Sequence, residues 1–223
     1  MPARYTLVVG TASWSSWSLR PWLTLHQTGA AFETVMIPLR VPGKSKPAIL
    51  KHSPSGKVPL LKITERGKSV KVWDSLAICE TLAERHPRAR LWPADAATRA
   101  VARAYAAEMH SGFPNLRDQL TMQFSQRLPL PALRENTQAE IARILAAWSL
   151  ALKTHKGPFL FGRFSIADAM YAPVATRFQT YGVALDPICA AYRDAIYAWP
   201  AMQDWIAQAQ LEQEEIEELE VEF

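Results

Sequence analysis

The chain has 223 residues, 49 % hydrophobic and 21 % charged, which excludes a disordered or collagen-like protein and suits one large domain or two small ones. Two cysteines, Cys79 and Cys189, are too few for a disulfide-stapled scaffold, and the five histidines stand too far apart for metal-ligand spacing. The net charge of +4 is uneven: residues 1–86 carry 12 Lys and Arg against 5 Asp and Glu, and residues 87–223 carry 13 against 16.

A basic front half suits an anionic small ligand; a solvated, Lys-rich loop surface explains the same charge. No nucleic-acid partner is expected, because the lysines are spread out and no recognised binding motif accompanies them. The first apolar run, Leu7 to Val9, is too short for a signal peptide or a membrane span. A cytoplasmic, reducing compartment and no membrane partner are therefore expected.

In chain order, Tyr5–Gly10 reads as a strand and Ser16–Gln27 as a helix closed by Thr28-Gly29. Phe32–Ile37 is a second strand, and Lys46–His52 a short helix after the Pro42-Gly43 break. Val58–Ile63 and Ser69–Val72 form a hairpin around Gly67, and Asp74–Arg85 is an amphipathic helix. The order β-α-β-α-β-β-α builds a mixed four-strand sheet with helices packed on it. Two prolines between His86 and Pro93 suit a linker. Beyond it every pattern is helical: Ala96–Leu120, kinked or ended by Pro114, then Ala132–Thr154, Ser165–Tyr181, Pro187–Ala198 and Trp199–Glu220. The expected division is residues 1–86, a linker at 87–94, and an all-helical 95–223. The last twelve residues hold seven glutamates.

Four stretches carry the chemistry. They are Ser13-Trp14-Ser15-Ser16-Trp17-Ser18-Leu19-Arg20-Pro21-Trp22, Ser53-Pro54-Ser55-Gly56-Lys57-Val58-Pro59, Trp73-Asp74-Ser75-Leu76-Ala77-Ile78, and Phe164-Ser165-Ile166-Ala167-Asp168. A hydroxyl just before a helix can donate to an anion over the helix N-terminus, where backbone N–H groups and the dipole also favour negative charge. A thiolate is such an anion. The same serine can instead simply cap the helix. No His and Asp with triad spacing accompany it, which argues against serine hydrolysis. Ser75 can cap the helix it opens while its O–H and N–H bind a carboxylate. Ser165 and Asp168 have capping-box spacing, with Asp in place of Glu, and read as structural.

Taken in order, these four motifs resemble the glutathione S-transferase family, in its serine-type branch, over essentially the whole chain. The resemblance implies a thioredoxin-like α/β domain followed by an all-α domain, with glutathione as co-substrate and no metal. It implies that Ser15 donates to the glutathione sulfur, with Ser13 and Ser16 as neighbouring alternatives. It implies a cis Pro59, a Val58 backbone that pairs with the cysteinyl part, and a Lys57 that meets the glycine carboxylate. Ser75 would hold the γ-glutamyl carboxylate, with Asp74 near its ammonium. Many relatives have Glu at the Asp74 position. An apolar acceptor pocket would draw on Trp14, Trp17, Met109, Phe113 and Leu116, with His110 and Arg117 at its mouth; aromatic and Met residues at helical spacing are more often core. A homodimer with each site near the subunit interface is implied. The expected activity is conjugation of the thiolate to electrophilic, mostly apolar small molecules. Alternatives are a glutathione-dependent isomerase resembling maleylacetoacetate isomerase, whose Ser-Ser-Cys motif has Trp17 in the cysteine's place here, a peroxidase, and a non-catalytic interaction module.

Overall fold

The computed structural model describes residues 3–124 and 126–212. The expected continuation of the last helix to Glu220, and the acidic tail past Glu212, lie outside the described residues. The first part runs β1 (Arg4–Gly10), α1 (Ser16–Thr28), β2 (Phe32–Ile37), α2 (Ser45–His52), β3 (Leu60–Glu65), β4 (Lys68–Trp73) and α3 (Ser75–Arg85). The strands order β2-β1-β3-β4, with β1 parallel to β2 and antiparallel to β3, and β3 antiparallel to β4.

Alternation along β1 divides the core. Leu7 and Val9 face the main cluster with Leu19, Leu23, Ile78 and Leu82, whereas Val8 joins Ile37, Ile49 and Leu60 beneath α2. β3 begins at Leu60, two residues later than the sequence pattern predicts. Proline has no N–H for the ladder, so pairing starts after Pro59.

The helical part comprises α4 (Ala96–Ser111), α5 (Pro114–Gln119), α6 (Glu135–His155), α7 (Ile166–Thr180), α8 (Pro187–Ala198) and α9 (Pro200–Leu211). The expected Ala96–Leu120 stretch is ended, not kinked, at Pro114 and forms two helices. Phe113 sits at φ 58° and Pro114 opens α5. α7 is the axis of this part, with every residue but Gln179 buried. It packs on both α1 and α4. Trp22 of α1 meets Trp205 of α9 edge-on at 5.2 Å, and its indole N–H donates to the Ala201 carbonyl at 3.4 Å. The long helices of the second part therefore hold α1 by its outer side. Among the described residues no helix is long and apolar enough to cross a membrane.

Candidate active site

The loop from β1 into α1 turns tightly, with the Ser15 N–H donating to the Thr11 carbonyl at 2.9 Å. Ser15 occupies the N-cap position of α1, yet its side chain makes no capping bond. Its hydroxyl donates to Ser18 Oγ at 2.7 Å, and Ser18 Oγ also accepts the Gly10 N–H at 3.1 Å. The helix start therefore leaves the Ser15 oxygen available at the positive end of a 13-residue helix. Ser13 is engaged elsewhere: it is fully buried and donates to the Ala209 carbonyl at 3.0 Å. Ser16 is buried in the first turn of α1. Ser18, one turn on, is a member of this group that motif reasoning missed; its signal was only a second hydroxyl three residues after Ser15.

Facing this loop is the approach to β3. The Val58–Pro59 peptide is cis. Val58 lies outside both ladders of β3, so its backbone groups are not used by the sheet. Lys57 is exposed, and its backbone N–H donates to Ser55 Oγ at 3.3 Å. Gly56 is at φ 64°, and a Cβ there would fall 2.5 Å from Lys46 Nζ. That ammonium donates to the Gly56 carbonyl at 3.1 Å, fixing the loop.

At the start of α3 the expected cap is corrected. Asp74, not Ser75, is the N-cap: one carboxylate oxygen accepts the N–H groups of Leu76 and Ala77 at 3.0 and 3.1 Å. Asp74 holds φ 73°, a backbone state that costs a non-glycine residue energy and that these two bonds help to hold. Ser75 is displaced one position into the helix. Its hydroxyl is buried and has no hydrogen-bond partner among the described residues. An unpartnered buried hydroxyl at a helix N-terminus is suited to an anionic group from outside the chain.

The remaining Asp74 oxygen lies 3.2 Å from Nε2 of His110, so α4 reaches the start of α3. Burial, against the pull of Asp74 and with the push of Arg20 and Arg117, holds the His110 imidazole below its usual pKa. His110 also meets Trp17 edge-on at 5.4 Å. The Trp17 ring has Arg20 at 4.2 Å and Arg117 at 5.5 Å from its centroid. Arg20 is wholly buried, with none of its guanidinium nitrogens partnered among the described residues. Burial, then the Arg177 and Arg117 charges, pull it down to about 9, so it remains cationic at neutral pH. Trp17 is thus a half-buried lid on a cationic floor.

The candidate acceptor residues separate into two groups. Trp14 and Trp17 are half-buried beside Ser15, and Arg40 lies over the Trp14 ring at 4.4 Å. Met109 and Leu116 are fully buried in the core and Phe113 is 7 % exposed. Tyr105 is core as well, its hydroxyl donating to the Ala147 carbonyl at 3.1 Å. The residues that the helical part turns toward Trp17 are the polar His110 and Arg117. Asp168 is far from this chemistry in kind: it accepts the Leu160 N–H, the Ser165 N–H and the Ser165 hydroxyl, each at 2.9 Å, in a fully buried capping box. Among the described residues no group of three or more His, Cys, Asp or Glu is placed to hold a metal.

Residues 14–85 match the family model for the glutathione S-transferase N-terminal domain, and residues 131–208 match that for the C-terminal domain. A probable maleylacetoacetate isomerase from Caenorhabditis elegans is 28 % identical over 173 residues, covering 77 % of this chain and 78 % of that protein. The structure of maleylacetoacetate isomerase from Anaeromyxobacter dehalogenans, with glutathione bound in its active site, is 27 % identical and covers 94 % of this chain and 98 % of its own, with a TM-score of 0.67. A glutathione transferase homolog from Burkholderia, also with bound glutathione, shares the fold at 24 % identity and a TM-score of 0.71, covering 94 % of this chain and 99 % of its own. With both halves matched in order, the chain belongs to the glutathione S-transferase family.

Proposed function

We propose that the cleft among the β1–α1 loop, the cis Val58–Pro59 bend and the start of α3 binds glutathione and ionises its thiol for attack on an electrophilic carbon. The observation that carries this is the Ser15 hydroxyl, set at the N-terminus of α1 and not spent on capping it. Ser18 Oγ accepts both the Gly10 N–H and the Ser15 hydroxyl, so its own proton is spent on neither and can turn toward Ser15 when the bond reverses. Ser15 then points its proton at the thiolate. Serine donor, helix dipole and the buried Arg20 charge all favour the sulfur as an anion, as pre-set electrostatics do in a low-dielectric site.

The orphaned Ser75 hydroxyl takes the γ-glutamyl carboxylate, Val58 pairs with the cysteinyl backbone, and Lys57 lies at the glycine end. Asp74 gives the ammonium a counter-charge. Conjugation forms a carbon–sulfur bond and releases the electrophile's leaving group or saturates its double bond. Calorimetry with glutathione, followed by a panel of electrophiles with product analysis, tests this directly. Absence of binding removes the reading.

A second reading is glutathione-dependent cis–trans isomerisation, in which the thiolate adds and then leaves again. It is favoured by the two relatives named maleylacetoacetate isomerase, at 28 % and 27 % identity, and by the cationic floor beneath Trp17, which suits an acceptor bearing a carboxylate. An isomerised product with no net consumption of glutathione selects it; oxidised glutathione as product selects peroxide reduction instead. A homodimer fits the family, and Val70 and Trp73 of β4 and Val101 of α4 are large apolar side chains left exposed for it. The division at residues 87–94 and a cytoplasmic site of action complete the proposal.

A further inference from the structure

We propose that Glu212, beyond the C-terminal end of α9, is a positioning residue for Ser15; this rests on the reading of Ser15 given above. Its carboxylate accepts the backbone N–H of Ala12 at 2.9 Å and that of Ser13 at 3.1 Å, with the Ser13 hydroxyl at 3.3 Å. Two consecutive backbone N–H groups facing one way form an anion-binding concavity, and here the chain fills it with its own carboxylate.

The rest of the loop is tied to the same helix. The Ala12 carbonyl accepts the Trp205 indole N–H at 2.9 Å, and the Ser13 hydroxyl donates to the Ala209 carbonyl at 3.0 Å. Both backbone groups of Ala12, together with the N–H and hydroxyl of Ser13, therefore belong to α9 and the residue after it. Thr11 at the head of the loop accepts the Ser15 N–H at 2.9 Å, so a shift at residues 12–13 passes straight to Ser15. The loop carries no helix or strand of its own between Gly10 and Ser16, and residues 12–13 within it are held by partners nearly two hundred residues away. Part of the first motif's serine content thus serves position: Ser13 fastens the loop to α9, whereas Ser15 is bonded within its own helix start.

The separation of roles makes the clamp measurable. The γ-glutamyl end of glutathione is assigned to Ser75 and the cysteinyl backbone to Val58, and among the described residues neither is hydrogen-bonded to α9. Displacing the β1–α1 loop should thus move thiol ionisation and turnover while sparing affinity. Charge alone predicts the opposite sign, because removing a carboxylate near a thiolate would lower the thiol pKa.

Glu212→Ala, Glu212→Gln and Ser15→Ala should be compared in the full chain. The readouts are kcat and KM for glutathione with a fixed electrophile, thiol pKa of bound glutathione by thiolate absorbance, and amide exchange of Ala12 and Ser13 by NMR. For Glu212→Ala we expect faster exchange at both amides, a raised thiol pKa, a fall in kcat of roughly tenfold and a glutathione KM within about twofold of the native value. Glu212→Gln keeps one acceptor and should lie between. Unchanged exchange, or faster exchange with native thiol pKa and kcat, overturns the positioning role. If Ser15→Ala shifts the thiol pKa and Glu212→Ala does not, only this inference fails. If Ser15→Ala leaves the thiol pKa unchanged, the Ser15 reading fails and takes the clamp with it.

Discussion

Ser75 shows how a single side chain separates binding from folding. A buried hydroxyl without a partner has lost its hydration for nothing, a penalty of about 1–3 kcal/mol. Ser75→Ala should therefore leave the unliganded protein as stable as before or slightly more so. Glutathione affinity should fall roughly tenfold, since a hydrogen bond to a charged group is lost, with the bound thiol's ionisation unchanged. Calorimetry and denaturant unfolding on the same preparations check this; full affinity in the variant would leave Ser75 a mere helix residue. At this scale the sequence was legible where a motif fixes position. Ser15, Pro59 and Asp74-Ser75 could be placed by their neighbours in the chain. The capping role went to the wrong residue of the Asp74-Ser75 pair, because both types cap helices well and only the backbone angle at Asp74 decides. Ser18 had only its spacing from Ser15 as a signal, and Glu212 carried no local signal at all.

Among the elements, α7 depends most on one group. Burial pushes the Asp168 carboxyl from 3.8 up to about 6, opposed by the bonds from Leu160 and Ser165. A folded-state pKa above the unfolded one means the native state binds the extra proton. Its contribution is fully present below about pH 4 and is lost as pH rises through 6. Asp168→Asn should flatten that part of the stability profile, read from unfolding midpoints across the pH range. Asp168→Ala leaves three donors unsatisfied and should cost about 2–4 kcal/mol, with turnover per folded molecule unchanged. Unchanged stability with collapsed turnover would bring Asp168 into the site. Elements were read best where one local rule decides them. β2 spans Phe32–Ile37 and α8 spans Pro187–Ala198, as the pattern predicts. The reading stayed open where two rules compete. Pro114 could kink the Ala96–Leu120 stretch or end a segment, and Phe113 in the left-handed region before it makes it an end. Met109, Phe113 and Leu116 have a helical spacing that makes core more often than pocket, and they join the core.

In the molecule as a whole, the candidate site lies on a seam. α1 is packed by α3 on the sheet side and by α7 and α9 on the other. Loop residues 12–13 are held by α9, and His110 of α4 reaches Asp74. None of these long-range pairings follows from local sequence, whereas the order of sheet part and helical part does. If the exposed apolar side chains of β4 form the dimer contact, Trp73→Glu should shift the protein toward monomer in light scattering; a monomeric native protein would remove that assignment. On the proposed reading this seam makes glutathione an anion at neutral pH through Ser15. Its most direct test is the thiol pKa of bound glutathione, followed by thiolate absorbance across pH in native protein and in Ser15→Ala. In native protein the pKa should lie well below that of a free thiol, about 8.5. In the variant the pKa should return toward that value, with glutathione still bound and turnover lowered by roughly 10²-fold. A bound thiol that titrates like a free one in native protein, or identically in both proteins, would contradict it.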